Sequence, residues 1–132
     1  LPYVEHMFNE ERNRILRILL ERSTSDRLIS RILKHIQCGH ELDLVRHYAG
    51  HSRWHIRMQA VAALGRIGER QDIALLLQSL GDAEWWVRYR AAQSLIKIPG
   101  VTRQELEVIH DNLDDSFAKT MLEQAMTEGE QG

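Results

Sequence analysis

The stretch WHIRMQAVAALGRIG, residues 54–68, returns one period later as WWVRYRAAQSLIKIP, residues 85–99. Trp54 falls on Trp85, Ile56 on Val87, Arg57 on Arg88, Ala60 on Ala91, Leu64 on Leu95 and Ile67 on Ile98, an offset of 31 throughout. The same offset backwards brings Leu33, Ile36, Leu42, Val45 and Gly50 onto Leu64, Ile67, Ile73, Leu76 and Gly81. A fixed period of this size marks a solenoid, in which each unit buries its apolar face on the next. At least three units are present, and the first lacks both the Trp and the Arg.

Inside a unit the apolar spacing is helical. Ile56, Ala60, Ala63, Leu64 and Ile67 form one stripe at i, i+4, i+7, i+8 and i+11. Gly68 ends it, and Ile73, Leu76, Leu77 and Leu80 form a shorter second stripe that Gly81 closes. Each unit therefore reads as a longer A helix, a tight turn and a shorter B helix. Pro99 and Gly100 supply the equivalent turn of the third unit, with two extra residues before Leu106, Ile109 and Leu113. No segment alternates with period two, so no sheet is expected. The predicted fold is an all-α solenoid of about three helical hairpins in one domain. Its parts are an N-terminal capping helix (1–22), repeat 1 (25–50), repeat 2 (51–81), repeat 3 (82–114), and a C-terminal cap with acidic tail (115–132).

Composition narrows the function classes. The 132 residues are 43% hydrophobic and 27% charged, as in a globular domain, with a net charge of −2. The longest apolar run, residues 15–20, is broken by Arg17 and is too short to span a membrane. Residues 100–132 hold two basic and eight acidic side chains, a local −6, whereas residues 1–34 hold seven and five. That balance lacks the strong basic excess of a nucleic-acid binder. The lone Cys38 cannot form an internal disulfide and fits a reducing compartment. A chain that starts at Leu1 with a basic first helix is expected to be a cytoplasmic domain, tethered to a membrane by an upstream segment.

The segments DAEWWVRYRAAQSLIKI (82–98) and WHIRMQAVAALGRIG resemble the short bacterial HEAT-like repeats of the bilin-lyase type, D-x-x-W-x-V-R-x-x-A-A-x-A-L-x-x-I. The likeness is strong over residues 51–113, weaker over 25–50 and absent at both ends. It implies that Arg57 and Arg88 are scaffold residues at the start of the A helix, bonding turn carbonyls and a neighbouring unit's carboxylate. Asp82 is the carboxylate on offer, and at a helix start it also caps free N–H groups. Trp54 and Trp85 fill the family's Trp slot and are expected to brace the turn between units.

Trp86 breaks the repeat, standing where the preceding unit has His55. At helical spacing from it lie Tyr89, Arg90, Gln93 and Lys97, and the matching ridge one unit earlier is His55, Met58, Gln59, Ala62 and Arg66. Aromatic, Met and Arg side chains are enriched where proteins meet. These two ridges are the expected partner-binding surface, for another protein or a peptide.

Chemistry has few candidates. His35, Cys38 and His40 are closely spaced, but a tetrahedral metal needs a fourth ligand that the spacing does not supply. His47, His51 and His55 recur at intervals of four, and Gly50 interrupts the helix that would align them. Some HEAT-like proteins carry several His-Glu dyads for a di-iron centre; this chain has only His40-Glu41. No catalytic residue, metal or cofactor is expected. The alternative is an accessory subunit or fragment of a bilin-lyase-type enzyme. Nucleic-acid binding is less favoured, because the expected B-helix surface (Asp43, Arg46, His47, Gln78, Glu107, His110, Asp111) is mixed in sign.

Overall fold

The computed structural model describes residues 25–131 together with Glu10, Glu11, Arg12, Arg14, Ile15 and Ile18. Those six are helical, and the rest of the expected N-terminal capping helix lies outside the described residues. Among the described residues there is no strand. The elements are α1 (Asp26–His35), α2 (Leu42–Tyr48), α3 (Trp54–Ile67), α4 (Ile73–Ser79), α5 (Trp85–Leu95), α6 (Arg103–Asn112) and α7 (Ser116–Gln131). Short 3-10 turns at Gly39–Glu41 and Arg70–Asp72 lead into α2 and α4.

The fold is an all-helical solenoid of stacked pairs, with α1, α3 and α5 as A helices and α2, α4 and α6 as B helices. α3 packs between α1 and α5, while α2 lies against α3 and α4 against α5. Each of these B helices thus sits closely against the A helix that follows it.

The period of 31 becomes a set of buried ladders. Leu33, Leu64 and Leu95 are fully enclosed, as are Ala60 and Ala91, and Ile56 lies one period before the buried Val87. The last helix continues the series. Ala118, Leu122 and Ala125 of α7 fall one period after Val87, Ala91 and Ser94, all of them buried, and α7 packs on α5 and α6. It takes the place of an A helix. His110 helps to fix it: Nε2 lies 2.6 Å from Glu123 Oε1 on α7, and Nδ1 lies 3.1 Å from Asp111 Oδ1. The hydrogen bonds with Asp111 and then Glu123 hold the imidazole above its usual pKa.

Helix ends follow local chemistry. Ser25 accepts from the Leu28 N–H at the start of α1, and Thr102 accepts from the Glu105 N–H at the start of α6. Gly100 adopts φ +81°, the left-handed region, and carries the two-residue extension of the third turn. Gly65 sits inside α3 for another reason. A Cβ there would lie 2.6 Å from Ser94 Oγ and 3.1 Å from Ser94 Cα on the neighbouring α5. That hydroxyl donates to the Val61 carbonyl at 2.8 Å. Gly65→Ala should therefore destabilise the chain by about 1–2 kcal/mol, overpacking outweighing the ~1 kcal/mol gain in helix propensity. Thermal unfolding followed by circular dichroism checks it.

Candidate functional site

The repeat motif forms bridges between units. Arg57 Nε and Nη2 donate to Asp82 Oδ2 and Oδ1 at 2.8 and 2.9 Å, a two-point contact from the start of α3 to the start of α5. Arg57 Nη1 also donates to the carbonyls of His51 and Ser52, both at 3.0 Å. Asp82 Oδ1 accepts from the Glu84 N–H at 2.9 Å, fixing the turn before α5. Burial alone would push the Asp82 carboxyl up; the hydrogen bonds from Arg57 and Glu84, with the charges of Arg57 and Arg88, outweigh it and hold the group below its ordinary value. Arg88 Nη1 donates to the Asp82 carbonyl at 2.7 Å, and its buried Nε has no hydrogen-bond partner among the described residues.

A second bridge runs along the B helices, and sequence reasoning missed it. Asp72, buried before α4, accepts from Arg46 Nε and Nη2 at 2.6 and 3.1 Å and from the Glu69 N–H at 2.8 Å. Arg70 repeats the device one unit on, with Nη2 at 2.6 Å from Glu105 Oε2 and Nη1 donating to the Gly100 carbonyl at 2.9 Å. The acidic residue opening each B helix (Glu41, Asp72, Glu105 once the extra two residues are allowed for) was the available signal. Arg46 and His110 are thus engaged in the scaffold and are not spare charges on the B-helix surface.

The face formed by the A helices is different. Trp86 is 47% exposed and Trp85 46%. Trp85 stacks almost parallel on Tyr89, centroids 5.0 Å apart at 9°, and Trp86 stands edge-on to both, 4.8 Å from Trp85 and 6.1 Å from Tyr89. The Arg90 guanidinium lies 5.9 Å from the Tyr89 ring centre and donates to Gln93 Oε1 at 3.0 Å. Trp54 is half-buried and stacks on the exposed His55, centroids 3.9 Å apart. Met58 and Tyr89 are also half-buried, packed against the core. Gln59 is half-buried and Lys97 exposed. One period beyond Trp86 stands Phe117 at the start of α7, 72% exposed. The positions of His55, Trp86 and Phe117 thus repeat an exposed ring on successive A helices.

Arg66 does not belong to this surface in the way its ridge position suggested. Its Nη2 and Nε donate to the carbonyls of Leu33 and Ile36, at 2.7 and 3.2 Å, at the end of α1. Burial pulls its pKa down, while the carbonyl end of the helix favours a cation there. It is a staple between α3 and α1.

A groove of about 530 Å³ lies between α1 and the start of α3, and His55 in its lining stands one period before Trp86. Asp26, Arg27, Arg31, Lys34, Arg53 and His55 line it. Arg53 is tied to Asp26 across the groove. Arg27, Arg31 and Lys34 are exposed at i, i+4 and i+7 of α1, with no ion pair or hydrogen bond to a described side chain. The structure brings His55 into this groove; the α1 cations are the site residues that the sequence reading passed over. Among the described residues no three His, Cys, Asp or Glu side chains are gathered as a metal would need. His40 meets Glu10 at 3.2 Å, and His51 Nδ1 accepts from the Arg53 N–H at 3.0 Å.

The family model described as HEAT repeats matches residues 3–96, and the chain belongs to the HEAT-repeat family. No curated protein and no solved structure matches it. HEAT repeats commonly mediate protein–protein interaction or scaffolding, and the family is generally non-catalytic. No helix among the described residues is long and apolar enough to cross a membrane.

Proposed function

We propose that this HEAT-repeat chain is a non-catalytic protein-interaction module that binds its partner through the A-helix face around Trp86. The observation that carries the reading is the exposed cluster of Trp85, Trp86 and Tyr89. Two large indole rings left half in water on a small helical domain are what a partner would desolvate. The bridges that tie the units together, Arg57–Asp82 and Arg46–Asp72, use none of these rings. The 31-residue unit supports a finer place among the short bilin-lyase-type repeats.

Trp86→Ala tests this directly. Removing a half-exposed ring should leave the thermal midpoint within about 3 °C of the parent. The same variant should lose the partner captured by the parent chain from extract of its native cells, with binding weakened by about 30-fold, as for an interface hot spot. Unchanged capture refutes the reading, and so does a variant that unfolds while Trp85→Ala also unfolds, since both rings would then be core.

A further inference from the structure

The basic groove says what kind of partner the face takes. Three cations on α1 are aligned on one side, spaced along the axis by about 6 Å from Arg27 to Arg31 and about 4.5 Å from Arg31 to Lys34. Alternate side chains of an extended chain lie about 6.4–6.8 Å apart, so carboxylates at i and i+2 can meet Arg27 and Arg31 in turn. Arg53 and His55 form the opposite wall, and of the six lining residues named above only Asp26 is acidic. His55 also stacks on Trp54, and one period on from it stands Trp86. Packed A helices lie about 8–10 Å apart, so a bound segment leaving the groove reaches the Trp86 cluster within a few residues. Guanidinium groups arrayed in this way match carboxylates in both charge and geometry.

The chain's own charge distribution favours the same choice. The groove is basic, whereas residues 100–132 carry eight acidic and two basic side chains. A long polyanion lying across the whole A-helix face would approach that acidic end, while a short acidic segment with one apolar residue occupies only the groove and the rings beside it.

We infer that the groove between α1 and α3 binds an extended acidic segment of a partner protein, with an apolar anchor residue of that segment seated on the Trp86 cluster. This rests on the A-helix face being the binding surface, as proposed above.

The test uses the whole chain and fluorescence anisotropy. The probe is a fluorescein-labelled peptide with glutamate at alternate positions and one central phenylalanine. Its comparators carry glutamine for every glutamate, or alanine for the phenylalanine, and a labelled DNA duplex completes the set. Binding of the glutamate peptide should weaken as salt rises, and both peptide comparators should bind about tenfold more weakly. Arg31→Glu should weaken binding by about tenfold, and Arg31→Gln by less, while Arg103→Glu on α6 changes it by under about twofold. Equal loss in Arg103→Glu, or none in Arg31→Glu, overturns the inference. It also falls if the duplex binds more tightly than the peptide at equal salt, or if Arg31→Glu merely dissolves a self-associated species, because the occupant is then a nucleic acid or a second copy. The two levels separate cleanly. If the captured partner is lost by Trp86→Ala but kept by Arg31→Glu, the inference fails and the surface reading stands. If Trp86→Ala still captures it, the surface reading is what fails.

Discussion

Leu64→Ala is expected to lower the unfolding free energy by about 3–4 kcal/mol and the thermal midpoint by about 11–14 °C. Leu64 is fully buried in α3, the A helix that packs on both its neighbours, and it is the middle rung of the ladder Leu33, Leu64 and Leu95. Truncation leaves a cavity that the stacked helices on either side cannot collapse into without shifting their own rungs. In a solenoid, stability is a sum of unit terms and nearest-neighbour terms. Weakening the middle unit therefore also uncouples the ends, so the melt should broaden as well as shift. Calorimetry, with the calorimetric enthalpy compared against the van't Hoff value, reads both effects.

Asp82→Ala is expected to cost about 2–3 kcal/mol, or about 7–11 °C in the midpoint. The change removes the two-point partner of Arg57 and the acceptor for the Glu84 N–H. With side-chain exposures of 18% for Arg57 and 13% for Asp82, the stranded guanidinium is only partly rehydrated, which sets the cost below that of a fully buried broken pair. Asp82→Asn keeps an acceptor for Glu84 and should lose about half as much. The pH dependence has a definite sign. Because the folded carboxyl titrates below its ordinary value of 3.8, its contribution is present above that pH and is lost as pH falls through the depressed value. The stability gap between parent and Asp82→Ala should accordingly close below about pH 4. Urea unfolding at pH 7 and pH 3 measures it.

The ladders were legible in the sequence because burial in a solenoid repeats with the chain: the residues at 33, 64 and 95 must all be apolar for units to stack. Arg57 and Asp82 were legible as well, one as a motif residue and the other as the nearest carboxylate at a helix start. The Arg46–Asp72 bridge was not, since Leu77 stands one period after Arg46 and the next unit's arginine, Arg70, comes from a different register position. α7 reads from its own sequence as a cap, because Ser116 and Lys119 occupy the slots of the Trp and Arg. Its role as a further A helix shows only when its buried positions are laid on those of α5. The groove escaped for a different reason. The B-helix surface of mixed charge argued only against nucleic acid, whereas the aligned cations stand on α1 and meet Arg53 and His55 only across the stacked helices. Trp85 fits a repeat slot and still leaves 46% of its surface exposed, a degree of burial that the repeat pattern alone does not set.

Side-chain oxidation by hydroxyl radicals, with and without the captured partner, reports directly which face is covered. Protection should fall on Trp85, Trp86, Tyr89 and Met58, on the A helices, while Tyr48, His47 and His110 on the B helices react as before. Protection of those B-helix side chains, with Trp86 as reactive in the complex as in the free chain, would contradict the assignment of the A-helix face as the binding surface.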